Sequence, residues 1–267
     1  MQRALARNRS PAPMRRAKHI SGRALIYGAL VLWAFITLFP IYWTVTTSFK
    51  TAVDVTQGHL IPWVDFQPDW RGWRSLGLSP DRIGETSTAR DEFLQRFTNS
   101  VTASLGASIL AVAIGSLAAY GLSRFKYKFG PWRNDDISFF FLSQLILPPV
   151  ALALPFLVLY KELALLDTKF GLIMVYALMV LPIALPGMVA AFILSVVLCW
   201  NEYFFAALLT STDAKTIPVM VASQTGSQGI DWWTMAALST AAIAPLVIIG
   251  IMLERYIVKG LTAGAVK

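Results

Sequence analysis

The chain has one cysteine, Cys199, and two histidines, His19 and His59, among 267 residues. Neither a disulfide framework nor a Cys/His zinc site can be assembled from that set. Charge is also scarce, with 14% charged residues against 56% hydrophobic ones. The apolar content excludes a disordered chain, and it exceeds what one soluble domain of this length can bury. The composition therefore points to a membrane protein. No GxxxxGK[ST] phosphate loop is present, so the chain does not energise itself with ATP. The apolar runs hold no Ser-His-Asp, HExxH or paired-carboxylate set, which argues against an intramembrane protease or a similar enzyme.

Five runs lack any Asp, Glu, Lys or Arg: 24–49, 99–123, 137–160, 170–201 and 232–253. Each is long enough to cross a bilayer, which takes about 20 residues. Ion-coupled transporters usually bury acidic, basic or His side chains in their spans, and voltage sensors bury Arg, so both classes are disfavoured. A channel acting alone is disfavoured too, since neither a filter motif nor a charge ring is evident. The net charge of +8 arises from 23 basic residues that fall between the runs. Placed there, they set topology and do not form a nucleic-acid-binding face.

Arg3, Arg7, Arg9, Arg15, Arg16, Lys18 and Arg23 precede the first run. They resemble the start of a signal peptide, but the run is too long and no small-residue cleavage pattern follows it. We read it as an uncleaved span with a cytoplasmic N-terminus. The segment 50–98 has six basic and seven acidic residues, with Trp63, Trp70 and Trp73 among turn-forming Pro and Gly, and reads as a small extracytoplasmic subdomain. Arg124, Lys126, Lys128 and Arg133 mark a cytoplasmic loop. The balanced turn 161–169 lies outside. The stretch 202–231, with Lys215 its single basic residue, lies outside again, and Arg255, Lys259 and Lys267 hold the C-terminus inside.

These assignments conflict with the span count. A chain outside at Lys169 and again at Glu202 crosses an even number of times between them, yet one apolar run is available. Residues 170–200 would form a helix of about 46 Å, too long for one span and too short for two. Pro182, Pro186 and Gly187 lie near its middle, where a helix kinks or stops. Either one Pro-kinked helix crosses and the C-terminus is outside, or a segment that normally lies here is absent.

Ala103, Ala107, Ala111, Gly115 and Ala119 recur every four residues, a register that lets a second helix approach closely. Ala is also simply common in membrane helices, and the spacing alone does not decide between the two. Gln144, Asn201 and Glu202 are polar positions at or near membrane depth, able to line a polar pathway or to hydrogen-bond a neighbouring helix.

Several stretches match one known family: Phe39-Pro40, Thr47-Ser48-Phe49-Lys50, Asn99-Ser100, AAYGLSRFKYKF at 118–129, LPFLVLYKELALLDTKFGL at 154–172, Trp200-Asn201-Glu202-Tyr203-Phe204, KTIPV at 215–219 and the tail from Pro245 ending RYIVKGLTAGAVK. On these the chain resembles the permease subunit of binding-protein-dependent carbohydrate ABC importers, of the maltose-permease-like family. The resemblance implies an all-α integral membrane protein of the ABC-importer permease fold, nominally six spans. Here five full hydrophobic runs remain, with span four truncated and fused to span five. It also implies a bacterial inner-membrane location, a second permease subunit, an ATP-binding subunit dimer that hydrolyses the ATP, an extracytoplasmic solute-binding protein, and no cofactor or metal in this chain.

In the family, spans four and five are separated by a cytoplasmic loop with an E-A-A and a downstream D-G, followed by an L-P-x-x-x-P entry into span five. Leu181, Pro182, Pro186 and Gly187 match that entry, but it follows directly on Val175 to Val180, and no E-A-A or D-G is present. The expected order is an arm 1–23, span 24–49, outer subdomain 50–98, span 99–123, inner loop 124–136, span 137–160, outer turn 161–169, a span-four remnant 170–180, span 181–208, outer loop 209–231, span 232–253 and tail 254–267. Since the family's loop docks on the ATPase, its absence implies impaired coupling; the alternative is a non-transporting deletion product that only occupies partner subunits. The outer segments, with Trp63, Trp70 and Trp73, are the expected binding-protein contact, unless these rings form an interfacial belt; for Trp232 and Trp233 the belt is the better assignment.

Overall fold

The computed structural model describes residues 13–82, 84–128, 130–181, 188–226 and 229–262. Helix α1, Pro13–Thr47, carries the first apolar run. Two of its threonines turn back onto the helix: the Thr37 hydroxyl donates to the Trp33 carbonyl at 3.0 Å and that of Thr44 to Pro40 at 2.9 Å, which satisfies them in apolar surroundings.

A small polar subdomain follows. Thr51 caps α2, Ala52–Thr56, in a reciprocal capping box with Asp54. Helix α3, Arg71–Ser75, docks on the start of the last helix, where a Cβ at Gly72 would lie 2.5 Å from the Trp233 carbonyl oxygen. Only glycine permits that approach, and the Ser75 and Thr234 hydroxyls hydrogen-bond beside it at 2.7 Å. A 3-10 turn, Pro80–Arg82, leads on to α4, Thr88–Arg124, whose 37 residues extend about 55 Å.

The run 137–160, expected as one span, is two helices. Asn134–Ser143 is α5, continued by a 3-10 turn Gln144–Ile146, and Pro149–Glu162 is α6, bent by 94° from it. The break lies at Pro148-Pro149. Leu147 and Pro148 each precede a proline and take extended backbone (ψ 120° and 133°), so the helix cannot run through.

Helix α7, Lys169–Val180, is capped by the Thr168 hydroxyl, which accepts the Gly171 N–H at 3.0 Å. Then come α8, Met188–Trp200, a turn at 201–203, α9, Phe204–Leu209, and α10, Ile217–Ala222. A two-residue antiparallel pair, β1 Thr225–Gly226 with β2 Gly229–Ile230, precedes α11, Trp232–Thr262.

Among the described residues three helices are long and apolar enough to span a membrane, Arg23–Thr47, Thr88–Arg124 and Trp232–Leu253, with the bent α5/α6 pair a possible fourth. The main core lies where α7 and α8 pack on α4. A second core, around Leu76, Phe93, Ile217 and Leu238, joins the subdomain to α10 and α11.

Candidate functional site

Asp167 is the point where distant segments of the chain meet. Its carboxylate accepts the backbone N–H groups of Ser211 at 3.0 Å, Thr212 at 2.9 Å, Asp213 at 3.0 Å and Ala214 at 3.0 Å, and the hydroxyls of Ser211 and Thr212 at 2.9 and 2.8 Å. Partial burial opposes ionisation, but the donors from Ala214, Asp213 and Thr212 outweigh it and hold the carboxyl well below the usual carboxylate range. Asp167 takes φ +55°, a left-handed conformation that Asp tolerates better than most residues. From the other side, Asn99 on α4 donates to the carbonyls of Asp213 at 2.7 Å and Lys215 at 2.8 Å, Arg96 donates to that of Thr212, and the Ser100 hydroxyl accepts the Ile217 N–H at 2.8 Å. The 163–168 turn, the 210–217 segment and the first third of α4 thus share one end of the molecule.

From that end α7 runs beside α4 in the same direction. Asn99 is level with the Asp167 cluster, and further along a Cβ at Gly106 would lie 2.9 Å from the Ile173 Cδ1. Val180, seven residues beyond Ile173, therefore comes level with about residue 113 of α4, roughly 16 Å short of Arg124. Helix α8 returns: Trp200 packs edge-on against Phe97 at 5.6 Å and donates its indole N–H to the Ala242 carbonyl at 3.1 Å. With 12 and 13 residues, α7 and α8 are about 18 and 20 Å long. Leu181 caps the C-terminus of α7. Pro182, Pro186 and Gly187 lie outside the described residues.

The small-residue positions lie in this interface. Ala103, Ala107 and Ala111 are fully buried in the core with Leu172, Val175 and Tyr176; Gly115 is buried and Ala119 half-buried toward the far end of α4. The three polar positions fall in two places. Gln144 is exposed at the α5/α6 bend, where its amide donates to the Phe140 carbonyl at 3.3 Å. Glu202 is buried at the end of α8, with both carboxylate oxygens engaged by the N–H groups of Phe205 at 2.9 Å and Ala206 at 3.2 Å, so it caps α9. Asn201 beside it is exposed and lines a mainly apolar cavity of about 270 Å³ with Trp200, Ile217, Val221, Ala242 and Ile243.

Of the three subdomain tryptophans, Trp70 and Trp73 pack on Phe49, Trp70 edge-on at 5.1 Å and Trp73 at 5.8 Å, and Trp73 donates to the Ser48 hydroxyl at 3.2 Å. Trp63 projects outward, 74% exposed. Lys50 is buried, with its Nζ 3.9 Å from the Trp43 ring centre and 5.2 Å from that of Phe66. Asp167 and Asn99 stand inside stretches that match the family, but their partners lie more than forty residues away in sequence, too far for spacing to reveal them. Among the described residues no group of three His, Cys, Asp or Glu gathers to hold a metal.

No family model matches the chain. Individual relatives do. The trehalose/maltose transport system permease protein MalG of Thermococcus litoralis is 31% identical, over 91% of this chain and 96% of that protein. The chain belongs to the carbohydrate ABC transporter permeases. The inner membrane ABC transporter permease protein YcjP of Escherichia coli K12 is 26% identical over 94% of this chain and 98% of its own, and the trehalose transport system permease protein SugB of Mycobacterium tuberculosis is 28% identical over 86% and 92%. A chain of a bacterial ABC transporter involved in importing the acidic polysaccharide alginate shares the fold, with a TM-score of 0.62 at 17% identity over 93% of this chain and 99% of that one.

The alignments hold positions that this permease does not fill. The alignment with the T. litoralis protein has 281 positions but takes in 91% of this chain's 267 residues, about 243, so close to forty positions hold no residue of it. The E. coli alignment, with 291 positions over 94% of this chain, leaves about the same number.

Proposed function

We propose that this permease is a membrane-spanning subunit of an ATP-driven carbohydrate importer, forming half of an alternating-access pathway, and that coupling to its ATPase is impaired because its cytoplasmic coupling loop is missing. The observation that carries the coupling reading is the Asp167 cluster. It joins the entry of α7 to the segment just beyond α9, so α7 and α8 leave from and return to one face. Each helix is about 10 Å too short to cross a hydrocarbon core of roughly 30 Å. In this reading α7 is the remnant of span four, and it ends within the membrane. The parity conflict then disappears: Lys169 and Glu202 are both outside with no crossing between them. Some forty positions present in the relatives and absent here support the same reading.

The partners would be a second permease subunit, a dimer of ATP-binding subunits and a solute-binding protein over the outer face built by 50–98 and 209–231, with the N-terminus cytoplasmic. ATP is hydrolysed by the partner subunits, and this chain contributes the path. Alternating access requires the ATPase to bias one of two bundle states through a physical contact, and without the coupling loop that contact is lost. The test is to express the chain with its neighbouring transporter genes and purify it by a tag. Substoichiometric ATPase and no stimulation of ATP hydrolysis by sugar-loaded binding protein are expected. Stoichiometric ATPase with stimulated hydrolysis would refute impaired coupling, and capture of the second permease without any ATPase would support the deletion-product alternative.

A further inference from the structure

We propose that α3 is a strap that ties the outer end of α1 to the start of α11, so that these two ends and the subdomain between them form one unit and do not part. The inference goes beyond the proposed function and does not depend on it, because every contact it uses is made inside this chain.

Gly72 touches both ends at once. A Cβ at that position would lie 2.5 Å from the carbonyl oxygen of Trp233 on α11 and 3.1 Å from that of Ser48, the residue that follows α1. Glycine lets the α3 backbone sit in the gap between the two ends, and any side chain there would push one of them away. Ser48, Gly72 and Thr234 are all buried where they meet.

Polar bonds secure each side. Toward α1, the Asp69 N–H donates to the Phe49 carbonyl at 2.8 Å and the Trp73 indole to the Ser48 hydroxyl at 3.2 Å, while the Phe49 ring meets those of both Trp70 and Trp73. Toward α11, the Ser75 and Thr234 hydroxyls share a hydrogen bond at 2.7 Å. Trp73 also packs against the core that Leu76 forms with Ala237 and Leu238, so this one side chain bears on both helices.

Within hydrocarbon, apolar helix faces gain little from each other, since lipid chains are as apolar as they are. Ties just past the membrane therefore weigh heavily in how two spans stand. Among the described residues, the side-chain hydrogen bonds that join α1 and Ser48 to other parts of the chain are those of Tyr42 with Leu60 and of Ser48 with Trp73, and both lead into the subdomain. The subdomain thus holds the outer end of α1, and α3 carries that hold across to α11. Whatever packs against the rest of α1, access from the outer side is then not gained between these two ends.

The test uses the full chain in vesicles of phosphatidylcholine and phosphatidylglycerol, with a water-soluble maleimide and labelling read at each position by mass spectrometry. Ser48→Cys and Thr234→Cys report on the two sides of the strap, Glu85→Cys is the exposed reference, and the native buried Cys199 reports on folding. Positions 48 and 234 are expected to react at least about tenfold more slowly than 85, and Gly72→Ala to raise both together by about tenfold while Cys199 stays protected. Labelling at 48 or 234 as fast as at 85 in the otherwise native chain overturns the strap. So does a rise at one of the two alone, or at neither, in Gly72→Ala. If Gly72→Ala also exposes Cys199, Trp73→Ala, which removes the side chain that bears on both helices, takes its place with the same outcomes.

Discussion

The Asp167 carboxylate accepts the backbone N–H of Ala214 at 3.0 Å across forty-seven residues of sequence. That bond and its neighbours bring the start of α7 and the segment after α9 to one place, and the short helices between them define the unusual part of this permease. Backbone N–H groups at 211–214 have no other use here than to hold that carboxylate.

Replacing Asp167 therefore tests the junction. Asp167→Asn keeps the size but removes the charge that four N–H groups converge on, and is expected to lower stability by about 2 kcal/mol, with Asp167→Ala costing more. Because the folded-state pKa lies below the ordinary value, the stabilisation is complete above the usual aspartate range and is lost as pH falls toward the folded pKa. Thermal unfolding in detergent should show the wild type weakening below about pH 4 while Asp167→Asn lacks that component of the slope.

The α4 interface predicts a graded response to added bulk. Ala107 is fully buried between α4 and α7/α8, and Ala107→Leu should cost about 3 kcal/mol or prevent accumulation in the membrane. Ala119 lies on the same stripe but is half-buried, and Ala119→Leu should express and melt like the wild type. Equal tolerance at both positions, measured by fluorescence-detected gel filtration, would remove the packing role of the stripe.

Lys50 offers an electrostatic test. Burial pushes its ammonium below the usual lysine range, with Asp54 and Asp65 pulling the other way, and among the described residues Nζ makes no hydrogen bond. Its stabilisation comes from the Trp43 and Phe66 ring faces, so Lys50→Met should stay within about 1 kcal/mol of wild type. Lys50→Glu puts a carboxylate against the same rings and should lose several kcal/mol, read as a lowered melting temperature.

How much of this was legible in the sequence depends on whether a feature is local. Charge-free runs predicted apolar helices, and where the run is uninterrupted, as in α1, α4 and α11, a long helix is present. Pro148-Pro149 lies inside another run and bends it by 94°, a break visible in the sequence that run length alone passes over. The proposed loss of the family loop rests on the sequence itself, where the motif and the span parity fail at the same place. The Asp167 cluster was not, since its donors are backbone N–H groups that any residue would supply. The bonds of Glu202 were not legible for a related reason: the N–H groups of Phe205 and Ala206 that occupy its carboxylate carry no side-chain signature, and Glu is not a usual helix cap.

Grafting a relative's segment is the most direct test of the proposed uncoupling. Helix α7 ends level with about residue 113 of α4, roughly 16 Å short of Arg124, so about eleven more residues of helix bring it level with that residue. The T. litoralis permease supplies the donor segment, since its alignment has nearly forty positions that hold no residue of this chain. Grafting that relative's stretch between Val180 and Leu181 should give stoichiometric ATPase on co-purification and sugar-stimulated hydrolysis that the parent chain lacks. A graft of equal length with the E-A-A residues replaced by Lys should restore the spans without the ATPase contact. Cysteines placed in either graft should then react from the cytoplasmic side, while those at Lys169 and Ser211 stay reactive from outside. If the parent chain already matches the grafted one in ATPase binding and stimulation, the proposed uncoupling is refuted and the coupling contact lies elsewhere in the chain.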